Sequence, residues 1–136
     1  MKTTYIYPAV FEPEKEGGYS VYFPDIPGCY TDGANLEEAM NMAEDALCLM
    51  LYHLEEEHQN IPKASDIQAV KAEAGDQNFV SFVKCDTLNY RKFYRNKTVR
   101  KSLTIPGWLN DLAEAEHVNF SNVLQNALAN QLGVTL

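Results

Sequence analysis

The stretch YSVYFPDIPGCYTDGANLEEA, residues 19–39, decides the architecture. Tyr19–Phe23 alternates aromatic and polar residues and reads as a strand. Pro24–Cys29 packs two prolines and a glycine together, which excludes regular structure. Tyr30-Thr31 allows a short third strand before the turn at Asp32-Gly33. Asn35 then opens a helix, with Glu38 three residues on as in a capping box.

Upstream, Thr4–Phe11 is rich in aromatic and β-branched residues and predicts a strand. Pro8 inside it predicts an edge strand or a bulge. Gly17-Gly18 predicts a hairpin with a loop longer than two residues. Downstream, Leu36, Ala39, Met40, Ala43, Leu47, Met50, Leu51 and Leu54 recur every three or four residues and form one apolar stripe. Glu37, Glu38, Glu44, Asp45, Glu55 and Glu56 line the opposite face. The helix should end near His58–Asn60, because Ile61-Pro62 blocks it. Residues 63–77 read as a polar connector with a short strand at Ile67–Val70. Asn78–Cys85 reads as a further strand whose Phe79, Phe82 and Val83 complete the core. The fold class is α+β, a small antiparallel sheet with one long helix.

The C-terminal part has a different character. Arg91–Lys101 holds six cations and no anion, and Tyr90–Asn96 reads as a basic linker. Val99–Ile105 alternates, with Val99, Lys101, Leu103 and Ile105 on one side and Arg100, Ser102 and Thr104 on the other. Pro106 opens a helix to about Glu116. A second helix, capped by Asn119 or Ser121, runs to Gly133. Some 40 residues of this kind cannot bury enough surface alone. Antiparallel pairing of two copies of Val99–Ile105 about a two-fold axis predicts a homodimer, with tetramers left open. Leu103, Ile105, Leu109, Leu112, Leu124 and Leu128 would form its core, and Trp108 would cover the core's edge. The outward residues Arg100, Ser102 and Thr104 of such a ribbon suit base edges in the DNA major groove. Lys97 and Lys101 add phosphate attraction, and the helix start at Asn119, Ser121 and Asn122 offers backbone N–H groups to a phosphate.

The chain is 136 residues long, which allows one domain or two small ones. Residues 1–75 contain 4 cations and 14 anions; residues 76–136 contain 7 and 5. That asymmetry suggests two regions with different partners. The start MKTTYIYPAV is not read as a signal peptide, and no apolar run reaches bilayer-spanning length. Cys29, Cys48 and Cys85 are odd in number and widely spaced, which argues for a reducing cytoplasm and for small buried side chains. A cytoplasmic protein without a membrane role is expected.

Lys101–Gly133, KSLTIPGWLNDLAEAEHVNFSNVLQNALANQLG, resembles a ribbon-helix-helix repressor. That family's outward strand positions fall on Arg100, Ser102 and Thr104. The turn between its helices usually holds glycine, whereas this chain has His117-Val118-Asn119. Tyr7–Leu47 is similar to the N-terminal domain of HicB-type antitoxins, through FPDIPGC, the TDG turn and the helix opening with LEEA. The resemblance implies a partial RNase H-like fold and, as partner, a small basic RNA-cleaving toxin of the HicA type. Against such a partner the acidic helix face and the loop Phe23–Asp32 are the expected contact surfaces. Asp25, Ile26, Asp32, Glu37, Glu44 and Asp45 are the candidate residues, with Asp25 equally able to serve as a turn-former.

An RNase H-like fold also raises a nuclease reading, which needs several carboxylates converging on two metal ions. Asp25 and Asp32 lie in loops, Glu44 and Asp45 diverge on a helix, and His53, His58 and His117 share no face. No catalytic residue, metal ligand or cofactor is expected. The reading is an antitoxin that occludes a HicA-type toxin through residues 1–88. A linker over 89–96 would lead to residues 97–136, which would repress its own operon on operator DNA. The alternative is an interaction module whose tail only dimerises.

Overall fold

Four strands, β1 (Thr4–Pro13), β2 (Tyr19–Tyr22), β3 (Tyr30–Gly33) and β4 (Phe79–Asp86), form one antiparallel sheet of order β3-β2-β1-β4. The computed structural model describes residues 2–136, in two compact units, Lys2–Asn96 and Lys97–Leu136. β1 is therefore interior, not the edge strand that Pro8 led us to expect, and its pairing with β4 runs unbroken from Thr4 to Phe11. The reason is local: β2 pairs with β1 only from Val10 onward. Pro8, which cannot donate to a ladder, sits where β1 is paired on one side alone.

The period of two along β1 sorts its side chains between two layers. Tyr5, Tyr7, Ala9 and Phe11 lie in the main core under α1 (Leu36–Glu56), with Ala39, Ala43, Leu47, Cys48 and Leu51 of the helix. Pro8 and Val10 are buried on the other face, where α2 (Ile67–Ala74) packs on β1 and β4 and buries Val70. Full burial of a residue such as Leu47 or Leu51 contributes about 1.5–3 kcal/mol. Leu36, expected in the apolar stripe, is exposed one residue past the cap. α1 begins as expected, with Asn35 Oδ1 accepting from the Glu38 N–H at 2.9 Å.

The Phe23–Cys29 loop is more ordered than its prolines suggest. Ile26 N–H donates to Phe23 O, and Cys29 N–H donates to Ile26 O, both at 3.1 Å. Phe23, Ile26 and Cys29 thereby point into the core at every third position.

Two aspartates redirect segments that periodicity misread. Asp66 Oδ1 accepts from Gln68 N–H at 3.0 Å and starts α2 where a short strand was expected at Ile67–Val70. Asp86 Oδ1 accepts from Leu88 N–H at 2.9 Å and starts α3 (Thr87–Tyr94). Most of the expected linker over Tyr90–Asn96 is thus the second half of a helix packed on α1. A local cap outweighs a short β-branched run at Ile67–Val70 and a basic, polar composition at Tyr90–Asn96.

The second unit contains α4 (Gly107–Ala115) and α5 (Phe120–Leu132). Asn119 caps α5, its Oδ1 accepting from Asn122 N–H at 3.1 Å. The expected strand Val99–Ile105 has no ladder partner among the described residues and is not a strand in the single molecule. α1 and α4 end alike. His58 and His117 adopt left-handed φ of 53° and 55°, and the following N–H reaches back to Leu54 O and Ala113 O. Histidine occupies the place where glycine is usual.

Backbone geometry gives two predictions of opposite sign. Gly33→Ala should destabilise the chain by about 3 kcal/mol, because a Cβ there would overlap the Ala39 backbone N and Cα. His58→Gly should stabilise it by about 1 kcal/mol by relieving left-handed strain. Urea melts of the two variants against the parent check both.

Candidate functional site

Dividing the chain at Asn96 sharpens the charge asymmetry. Lys2–Asn96 carries 8 cations and 16 anions, whereas Lys97–Leu136 carries three of each. In the second unit the cations are Lys97, Arg100 and Lys101, and the anions Asp111, Glu114 and Glu116 lie in and just after α4.

The six acidic-unit candidates do not form one patch. Ile26 is only 2% exposed and its side chain belongs to the core rather than to the loop's outer surface; its place between two prolines in a loop hid that. Asp25 is tied down, its carboxylate accepting from Ser65 N–H at 2.9 Å and from the Ser65 hydroxyl. It anchors the segment that leads into α2, a long-range tie rather than the local turn-forming role expected of it. Asp32 is exposed on β3 opposite Ser20 and lines a shallow groove of about 400 Å³ with Glu12, Tyr22 and Tyr30. Glu37 is exposed in the first turn of α1, where its charge suits the helix dipole. Glu44 and Asp45, expected to diverge, both line a depression of about 340 Å³ closed by Tyr90, Phe93 and Tyr94 of α3. Sequence reasoning missed that wall because α3 was read as linker. The signal was present in Asp86-Thr87-Leu88, an aspartate cap before a helix.

A buried-edge network holds α3 in position. Glu55 Oε2 accepts from Tyr5 Oη at 3.0 Å and from Thr87 Oγ1 at 2.8 Å, while Oε1 pairs with Arg91 at 3.3 Å. Arg91 also pairs with Glu56 and lies 4.6 Å from the centre of the Tyr52 ring, which Tyr90 packs against at 5.2 Å. Three of the six clustered cations, Arg91, Lys92 and Arg95, therefore belong to the first unit, where Arg91 is paired with Glu55 and Glu56. Burial, then the Glu55 hydrogen bond and charge, push the Tyr5 hydroxyl up to about 12. Burial and the nearby Asp25 raise Tyr7, whose hydroxyl donates to Pro62 O.

In the second unit Lys97, Arg100, Lys101, Ser102, Thr104, Asn119, Ser121 and Asn122 are all exposed. The Asn122 N–H is already capped by Asn119, which removes one of the donors expected to await a phosphate. The expected dimer core is open in the single chain: Leu103 is 58% and Ile105 47% exposed, and Leu109, Leu112 and Leu128 are exposed as well. Leu124 is half-buried. Among the described residues no group of three or more His, Cys, Asp or Glu is gathered around a possible metal position, and no helix is long and apolar enough to cross a membrane.

The structure thus defines a two-unit α+β protein, with an acidic first unit and a helical second unit whose apolar residues lie open. Residues 7–128 match the family described as the HicB-like antitoxin of bacterial toxin–antitoxin systems, and the chain belongs to that family. It is 48% identical to Antitoxin HicB 1 of Photorhabdus laumondii over 41% of this chain, a match that spans 36% of that protein. It is 30% identical to Antitoxin HicB 2 of the same organism over 93% of this chain and 90% of that protein. Among solved structures, a chain of the toxin–antitoxin complex from Streptococcus pneumoniae matches with a TM-score of 0.60 and 28% identity. That match covers 94% of this chain and 99% of the other.

Burial of the Tyr5 hydroxyl, reinforced by its bond to Glu55, makes stability depend on alkaline pH. Tyr5 has a higher pKa folded than unfolded, so its contribution is complete below about pH 10 and is lost as pH rises toward about 12. Tyr5→Phe should remove that component of the decline, as measured by urea melts across this range.

Proposed function

We propose that this chain neutralises a small basic toxin through its acidic first unit, and dimerises through its second unit to bind operator DNA. The observation that carries the proposal is the separation of charge and apolar surface between the units. All of the excess negative charge lies in Lys2–Asn96. The open apolar residues of Lys97–Leu136 require a cover that one copy does not supply.

A toxin that grips RNA presents positive charge, and the acidic unit offers the complementary field that speeds encounter. The likeness to a chain from a toxin–antitoxin complex supports a toxin partner. Glu44 and Asp45, beside the aromatic wall of α3, offer carboxylates and ring faces together, a combination suited to an arginine or lysine side chain. Glu37 and Asp32 add exposed charge in other grooves.

In the second unit, self-pairing of Val99–Ile105 would supply the missing ladder partner and bring Leu103 and Ile105 against the helices of both copies. The same pairing would turn Arg100, Ser102 and Thr104 outward as a two-stranded ribbon, the width of a major groove. Lys97 and Lys101 flank it for phosphates. The unit would then act as a ribbon-helix-helix repressor, and the left-handed His117 fulfils the turn that glycine usually makes in that family.

The DNA arm is tested on the stretch upstream of the coding sequence. Arg100→Ala should weaken binding about tenfold or more while the dimer persists in sedimentation. Lys97→Ala should flatten the dependence of log K on log salt by about 0.9. Unchanged affinity and slope with an intact dimer would leave a module that only dimerises. The toxin arm is tested with a co-purified HicA-type toxin. Glu44→Lys combined with Asp45→Lys should slow association at low salt several-fold, and equal rates for parent and variant would refute a contact there.

A further inference from the structure

The fold brings together two thiols that stand 37 residues apart in sequence. Cys48 on α1 and Cys85 on β4 place their Sγ atoms 2.7 Å from each other, and both are free thiols. A disulfide bond is about 2.05 Å long, so the sulfurs need approach by only about 0.7 Å. Their surroundings differ. Cys85 is fully buried in the main core, at 0% exposed. Cys48, at 6%, forms part of the lining of the depression between α1 and α3, the side from which a small solute would approach it. Cys29, the third cysteine, is buried elsewhere in the core with no thiol beside it among the described residues.

We infer that Cys48 and Cys85 form a peroxide-sensitive dithiol site, in which Cys48 is the attacking thiol and Cys85 the resolving one. Two free cysteines packed against α1 and β4 need not meet, and aliphatic residues would fill the same space; what the pair adds is chemistry. The Cys48 thiolate attacks one oxygen of hydrogen peroxide, the O–O bond breaks, and hydroxide leaves to become water. Cys48 is oxidised to the sulfenic acid. Cys85, giving up its proton, then attacks Cys48 Sγ, the S–O bond breaks and a second water leaves. Two thiols and one peroxide yield one disulfide and two waters, with peroxide as the oxidant reduced.

Enclosure sets this order: Cys48 borders the depression, whereas Cys85 is shut inside the core. Contact with Cys85 holds the Cys48 thiol below its ordinary range, aided by the Asp86 backbone and opposed by burial, Glu44 and Asp45. The same contact, with burial, pushes Cys85 up. Burial alone raises Cys29 to about 11 and leaves it unreactive. The product would staple α1 to the sheet strand β4 and close a long loop, which raises the thermal midpoint. In a reducing compartment the site would stand as a dithiol and record only an oxidant pulse.

The experiment is peptide mapping of the fully reduced, full-length chain after brief treatment with hydrogen peroxide, with remaining thiols alkylated under denaturing conditions. The expected result is an intramolecular Cys48–Cys85 crosslink, alkylated Cys29, an intact mass lower by two hydrogens before alkylation, and a higher melting temperature that dithiothreitol reverses. Cys29→Ser should retain the crosslink. Recovery of Cys48 and Cys85 as alkylated thiols or as sulfinic acids without a crosslink overturns the inference, as does a crosslink to Cys29 or between chains. The parent chain alone decides the matter, so it does not depend on the folding of Cys48→Ser or Cys85→Ser. Those variants, where they fold, should lose the crosslink.

Discussion

The packing of one side of β1 against the small-residue face of α1 is the constraint on which the first unit depends. Tyr5, Tyr7, Ala9 and Phe11 share one buried core with Ala39, Ala43, Leu47 and Leu51. Gly33 lets β3 touch the helix backbone at Ala39, so the hairpin cannot slide without collision. With α1 held in that line, its far end brings Glu55 to Tyr5 and Thr87, and its middle brings Cys48 to Cys85. The placement of α3, the α1–α3 depression and the thiol pair all follow from one helix seated on one strand.

The two units use their surfaces differently for a physical reason. The first seals a core of its own and can leave its exterior to charge, which is strongly negative. The second is too short to seal its apolar residues within one copy, and only Ala129 in it is buried among hydrophobic residues. A self-sufficient acidic body and an incomplete apolar one underlie the two partners proposed above, a basic protein for the first and a second copy of the chain for the other. Membership of the HicB-like antitoxin family gives the first of these a setting.

Much of the fold was legible in the residues. Alternation in Thr4–Phe11, Tyr19–Phe23 and Asn78–Cys85 marked strands, and the stripe from Ala39 to Leu54 marked α1 with its Asn35 cap. The misreadings have a common origin. Pro8 argued for an edge strand, but strand order is a long-range property and β4 lies more than 60 residues along the chain. Asp66 and Asp86 were local signals, passed over because polar, basic surroundings resembled a connector. Ile26 was assigned to a partner because it sits in a proline-rich loop, whereas hydrogen bonds within that loop turn every third residue inward.

The sequence by itself determined the α+β class, the long capped helix, the helical pair at the C-terminal end and the uneven charge, because these depend on periodicity, capping and composition within short windows. Tertiary structure alone decided which carboxylates remain available and which are engaged. Asp25 is held by Ser65 and Glu55 by Tyr5, Thr87 and Arg91, whereas Glu44 and Asp45 stand open beside aromatic rings. It also decided that two of three scattered cysteines touch. Such pairings join residues tens of positions apart, and their distances are set by how a helix seats on a sheet, which no local pattern of side chains encodes.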